Sequence, residues 1–367
     1  MTAVLSVILQ LAVIIVAARV VGALFRALRQ PPVVGEMFAG ILLGPSLAGH
    51  FFPHEHARLF TEASRPALNY VAQGGIILFM FVVGTRIELD VFRRHSRAIA
   101  STAAASIAVP FALGLALASQ LFPRFAAAGA PRTAFVLFIA TAMSVTAFPV
   151  LARILTDRGL ETTPNGRTAL VCAAINDAVA WALVASVVGF VRAGATVPFT
   201  VHGVFIAFVS GVVAALAIPG VVSFIQRIER PVTRYLLPVF FAMVGLRTDL
   251  YLITGSGGSL FWCLAIIVVA TAGKLGGTAL AGRAAGMAGS DAMTLGILMN
   301  TRGLMELVVL NIGHDLGLLP AGLFAMMVVM ALVTTCMTGP LLDWVVRATP
   351  GRPRSSPRRT RTTVAQP

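Results

Sequence analysis

Apolar residues run through this chain in stretches of about twenty, separated by short polar segments that carry nearly all of its charge. Each stretch is long enough to cross a hydrocarbon layer of about 30 Å as a helix. The pattern predicts eleven membrane segments, at roughly 3–25, 33–49, 67–85, 98–121, 133–155, 167–191, 202–225, 235–251, 260–282, 292–312 and 320–346. The expected fold is therefore an all-α polytopic membrane protein. A transmembrane β-barrel would instead show short segments of alternating hydrophobicity. From about Arg347 the apolar content stops, and the tail GRPRSSPRRTRTTVAQP reads as disordered and basic.

Composition agrees with this pattern. Of 367 residues 57% are hydrophobic and 11% charged, against about 25% charged in a soluble domain, and the mean hydropathy is +0.89. The net charge of +14 does not form one basic face, so nucleic acid is not the expected partner. Thirteen of the 27 arginines, against six in the other loops, fall in alternate loops: Arg26 and Arg29, then Arg86, Arg93, Arg94 and Arg97, then Arg153, Arg158 and Arg167, then Arg227, Arg230 and Arg234, then Arg283. The positive-inside rule places those loops and the C-terminus in the cytoplasm and the N-terminus outside, in a plasma-membrane protein. The first apolar run begins near Ala3 without a basic flank, unlike a cleavable signal.

Charge inside the apolar runs locates the chemistry. Asn176-Asp177 lies in the middle of ALVCAAINDAVAWALVASVVGF. A charged side chain at bilayer depth costs on the order of 3 kcal/mol on insertion scales, and such residues mark ion or proton paths. Burial disfavours an ionised carboxylate while a nearby cation favours it, so one carboxylate can hold a proton or a monovalent cation in turn. Asn176 adds a neutral oxygen. The plainer alternative is a carboxylate that only holds helices together.

Lys274, the sole lysine, lies in FWCLAIIVVATAGKLGGTALAG. It is expected to pair with Asp177 when no cation is bound, or else to snorkel to the cytoplasmic edge if Gly276 and Gly277 end the helix. Two runs look interrupted. AMSVTAFPVLAR carries Pro149, whose missing N–H and ring free carbonyls near Val145 and Thr146. LMNTRGLMELVVL packs Asn300, Thr301, Arg302, Gly303 and Glu306 into one span, and Arg302 and Glu306 are spaced to pair on one helix face. Broken helices in corresponding halves point to a transporter site built on inverted repeats. Cys172, Cys263 and Cys336 have no metal or disulfide spacing, and glycines such as Gly35, Gly40, Gly44, Gly74 and Gly75 suit close helix packing. With no phosphate loop of the G-x-x-x-x-G-K-[ST] kind, an ion gradient is the expected energy source. No catalytic residue, metal or cofactor is assigned, and the chain reads as a transporter, not an enzyme.

QPPVVGEMFAGILLGPSLAG, ILFMFVVGTRIELD, SVTAFPVLARIL, AAINDAVAWALVA, LLPVFFAMVGLRTDL, GKLGGT and LMNTRGLMELVVLNIGHDLG occur in this order. Together they resemble the second family of monovalent cation:proton antiporters, which contains the plant cation/H+ exchangers and many bacterial relatives. The resemblance spans about residues 1–345. It implies exchange of H+ for K+ or Na+ by a homodimer. It also implies a core (about 67–191 and 260–346) holding two crossed broken helices and an interface part (about 1–49 and 202–251) against which the core slides. Asp177 would bind cation and proton, with Asn176 and Thr146 beside it, Lys274, Arg302 and Glu306 as supporting charges, and Pro149, Asn300, Thr301 and Gly303 at the breaks. Members of that family carry about two more helices between the Asn-Asp helix and LLPVFF, where Gly203–Phe224 alone stands here. The alternatives are a cation channel or efflux pathway on the same residues, or a shortened homologue that does not transport.

Overall fold

A computed structural model of the chain describes residues 3–28, 30–85, 97–191, 199–218, 220, 225, 227, 231–255 and 257–348. Among these residues all regular secondary structure is helical. The helices are α1 (Ala3–Ala27), α2 (Pro32–Leu43), α3 (Arg65–Thr85), α4 (Arg97–Phe125), α5 (Arg132–Ser144), α6 (Phe148–Asp157), α7 (Pro164–Val191) and α8 (Phe199–Ala217). There follow α9 (Leu237–Leu246), α10 (Gly257–Thr271), α11 (Gly277–Ala284), α12 (Gly289–Met299), α13 (Leu304–Asp315) and α14 (Ala321–Ala348). One π turn, Val232–Leu236, leads into α9, and another, Ala272–Gly276, joins α10 to α11 without a break in the helix axis. Proline opens α2 at Pro32 and lies in the first turn of α6 at Pro149, where its missing N–H would have had no partner.

Eight helices among the described residues are long and apolar enough to span a membrane. They correspond to eight of the eleven expected segments. The others are 67–85, 202–225 and 292–312. The first carries Arg65, Asn69 and Gln73 in its opening turns, the second is described as a helix only to Ala217, and the third is split in two. The tail from 349 and the arginines Arg29, Arg86, Arg93, Arg94 and Arg230 lie outside the described residues.

Two groups of helices are distinguished by their contacts. α1, α2, α3, α8 and α9 pack on one another, while α4 to α7 pack with α10 to α14. In the second group a long helix, a broken helix and a long helix follow in that order, twice: α4, α5/α6, α7 and α10/α11, α12/α13, α14. The helix at 67–85, counted with the core in the sequence, packs along α8 and α9 instead. Small residues allow this. A Cβ on Gly84 would strike the Phe208 carbonyl, and one on Gly211 the Phe81 carbonyl, so α3 and α8 touch backbone to backbone. Gly35, Gly40 and Gly75 are likewise pressed against neighbouring helices, whereas Gly74 has nothing within 4 Å.

The distribution of apolar residues is that of a protein in lipid. α1 turns Val4, Ile8, Val16 and Val20 outward, while Phe135, Phe138 and Ile139 of α5 are fully buried. The broken helices lie at the centre of the second group. Polar side chains that would be costly in hydrocarbon are gathered there: Asn176, Asp177, Lys274, Asn300, Arg302 and Glu306 are all 1% exposed or less.

Candidate ion-binding site

The two breaks hold each other. Helix α5 ends at Ser144, and Val145 (φ −68°, ψ 142°) and Ala147 (φ −91°, ψ 90°) are extended before Pro149 enters the first turn of α6. The second break runs from Asn300 to Gly303, between α12 and α13. Ala147 N–H donates to the Thr301 carbonyl at 3.2 Å, and Thr146 Oγ1 donates to the Met299 carbonyl at 3.2 Å. Backbone groups left over at one break are thus satisfied by the other, the condition for irregular backbone at membrane depth. Gly303 has φ 151° and ψ −123°, and a Cβ there would sit 2.8 Å from Val150 Cγ2 on α6. Only glycine fits both the backbone and the crossing. Helix α14 fastens the same point, since Thr335 Oγ1 donates to the Arg302 carbonyl at 2.7 Å and accepts Arg302 N–H at 3.0 Å.

Asn176 and Asp177 sit midway along α7, facing this crossing. Asn176 Nδ2 donates to Thr146 Oγ1 at 2.8 Å and to Ser106 Oγ of α4 at 3.3 Å. Its Oδ1 has no hydrogen-bond partner. The backbone N–H of Phe148, first residue of α6, faces the Asp177 carboxylate. Neither Asp177 oxygen, however, has a partner at hydrogen-bond distance. The carboxylate therefore lies at the N-terminal end of a half-helix, where the helix dipole favours negative charge. Asn300, at the second break, also has both amide atoms buried and unpartnered.

The cations occupy the opposite pole. Lys274 lies in the π turn between α10 and α11, and the helix continues past Gly276 and Gly277 to Ala284. It is fully buried, which excludes snorkelling to an edge. Nor does it form an ion pair with Asp177. Its Nζ donates to the Ser106 carbonyl at 2.9 Å and to the Ser144 carbonyl. Both acceptors lost their helical donors for identifiable reasons. Pro110, four residues after Ser106, has no N–H to give, and α5 stops at Ser144.

Arg302 completes this end of α5. Its Nη2 donates to the Met143 carbonyl at 2.7 Å, and Nη1 to the Ala142 carbonyl at 3.3 Å and to Glu306 Oε1 at 3.2 Å. Two cations thus cap three successive carbonyls, Ala142, Met143 and Ser144, at the negative end of α5. Arg302 and Glu306 form the i,i+4 ion pair that their spacing predicts, with both side chains fully buried. Lys274→Met should strand two buried carbonyls, each worth about 1–3 kcal/mol. The expected result is a lower midpoint of thermal unfolding in detergent that Asp177→Asn in the same background does not restore, as it would if Lys274 served only as a counter-charge to a buried carboxylate.

The crossing thus brings together Thr146, Asn300, Thr301, Gly303, Arg302 and Glu306, with Asn176 bonded to Thr146 and Lys274 bonded to Ser144. Pro149 lies in the adjoining turn of α6. Sequence reasoning passed over Ser106, Pro110, Ser144 and Thr335. One signal was available: a serine four residues before a proline inside an apolar helix exposes a carbonyl that a buried donor can take.

Known proteins extend these observations. The family described as "Sodium/hydrogen exchanger, transmembrane" matches residues 14–237 and 229–348. The Na(+)/H(+) antiporter NhaS4 of Synechocystis sp. is 34% identical over 392 aligned positions, covering 90% of this chain and 94% of that protein. Cation/H(+) antiporter 18 of Arabidopsis thaliana is 34% identical over 395 positions, covering 91% of this chain, and the chain spans about half, 48%, of that protein's length. Both alignments are longer than the 367 residues of this chain, so these relatives hold residues that it lacks. The two matched stretches of the family meet at 229–237, in the interval between α8 and α9 where about two helices were expected to be missing. Among solved structures, the sodium proton antiporter MjNhaP1 from Methanocaldococcus jannaschii superposes with a TM-score of 0.59 at 14% identity, covering 95% of this chain and 98% of that one, and shares its fold. The chain belongs to the transmembrane sodium/hydrogen exchanger family.

Proposed function

We propose that the chain is a secondary active antiporter that exchanges H+ for a monovalent cation, K+ or Na+, with Asp177 holding the two in turn. The observation that carries this is a fully buried carboxylate with both oxygens unpartnered, at the positive end of α6 and beside two crossed helix breaks. No donor lies at hydrogen-bond distance of either oxygen, so a proton or a partly dehydrated cation can take them, and one excludes the other. Asn176 commits its amide donors to Thr146 and Ser106, which leaves Oδ1 as a second ligand for the cation. Thr146 orients Asn176 and ties the breaks together. Lys274 and Arg302 serve as fixed positive charge at the α5 end, with Glu306 balancing Arg302.

In this reading residues 97–191 and 257–348 form the moving core, and 3–85 with 199–246 form the part that anchors a homodimer. The protein is placed in the plasma membrane, and the arginine distribution favours an N-terminus outside and a C-terminus in the cytoplasm. Purified protein in proteoliposomes loaded with a pH-sensitive dye tests the function. Addition of K+ or Na+ should move protons against the cation. Silence with K+, Na+ and Li+ would sink antiport, and current without coupled proton movement would identify a channel.

A further inference from the structure

Arg247 follows the last turn of α9. Its guanidinium reaches across both helix groups. Nη2 donates to Asn69 Oδ1 of α3 at 3.0 Å. Nη1 donates to Asn311 Oδ1 at 3.0 Å and to Asp315 Oδ1 at 3.3 Å, both on α13. Helix α13 is the rigid half-helix whose other end carries Gly303, Arg302 and Glu306 at the crossing. Asn311 is nine residues beyond Arg302, about 13 Å along the helix at 1.5 Å per residue.

The packing beneath this contact is loose. A cavity of about 60 Å³ lies between α3, α9 and α13, lined by Ala72, Ile76, Phe240, Val308 and Ile312. On the far side of Arg247 a wider cavity of about 430 Å³ is bordered by His56, Arg65, Leu246 and His314. Arg247 and Asn69 line both. The side chain therefore stands between this wider cavity, the vestibule, and an apolar seam between the two helix groups. The Arg247 and Asp315 side chains are 28% and 39% exposed. A pair so wet adds little to stability, which suits a contact that must open and close rather than one that holds the fold.

We propose that Arg247 is a positioning residue, a latch that holds α13 against α3 and α9 in one of the two states of the exchanger and never touches the ion. Release of the latch lets the core group move and opens the seam to the vestibule. That this motion gates exchange rests on the antiport reading; the latch contact does not.

The test places a cysteine in the seam, Val308→Cys, where the native side chain is 4% exposed. Its labelling by a membrane-impermeant maleimide is followed peptide by peptide in the full-length protein. Arg247→Gln should speed labelling at 308 by about fivefold or more, the low end of the range for a coupling contact. Asp315→Asn, at a half-exposed helix end, should give a smaller increase and decides the matter if Arg247→Gln does not fold. Native Cys263, 3% exposed, should keep its rate. Equal labelling with and without the latch, or a rise at Cys263 to match, overturns the proposal. In proteoliposomes Arg247→Gln should also shift the apparent KM for cation presented from the vestibule side by about threefold or more, and faster labelling with unchanged KM would overturn the gating role. If the wild-type protein exchanges nothing, the antiport reading falls while the labelling still decides the latch.

Discussion

Asp177→Asn is expected to abolish cation-driven proton movement, with a loss of about a hundredfold or more, equivalent to at least ~2.7 kcal/mol. The substitution keeps the shape of the side chain and removes the carboxylate proposed to exchange a proton for a cation, leaving Glu306 tied to Arg302. It should not harm the fold. The carboxylate oxygens of Asp177 make no hydrogen bond to the protein, so the substitution breaks none, and it removes the cost of carrying a charge at 1% exposure. Thermal stability in detergent should stay level or rise while exchange in proteoliposomes disappears. That divergence separates a transport carboxylate from a structural one, which would lose stability with activity. Exchange that survives at more than a tenth of the wild-type rate would remove Asp177 from the site.

The parts of this site that were legible in the sequence are those for which cost alone is informative. Asn176-Asp177, Lys274 and the Asn300–Glu306 stretch stand out because hydrocarbon tolerates such groups only for a reason. Arg302 and Glu306 could be paired on paper because a helix fixes the distance between residues four apart. The partner of Lys274 could not. Opposite charges invite pairing, yet its nearest acceptors are two carbonyls, one freed by Pro110 and one by the end of α5. Backbone acceptors leave no trace in a charge pattern, and only the Ser106–Pro110 spacing hinted at one. The placement of α3 was hidden for a related reason. It follows the interface helices and precedes the core in the chain, and its side is settled by the backbone contact through Gly84 and Gly211.

Arg302→Met is expected to be the most destabilising of these substitutions, by about 3–5 kcal/mol, the cost of removing one partner of a buried ion pair. Arg302 is fully buried and closes three contacts at once. Its loss leaves Glu306, fully buried and with Oε2 already unpartnered, as an isolated carboxylate. It also releases the Ala142 and Met143 carbonyls at the break. A second substitution tells these apart. Glu306→Leu in the Arg302→Met background removes the isolated charge but leaves the Met143 carbonyl bare and the Ala142 carbonyl with only the Val145 N–H at 3.4 Å. If the ion pair dominates, the double variant should regain more than half of the lost stability; if the carbonyls dominate, it should regain little. The geometry favours a split outcome for function: the double variant should unfold at a higher temperature than Arg302→Met and still exchange poorly, because the α5 end beside Asn176 and Asp177 has lost one of the two cations that cap it. Full recovery of exchange would show that Arg302 and Glu306 serve the fold alone, and that Lys274 suffices to hold the break.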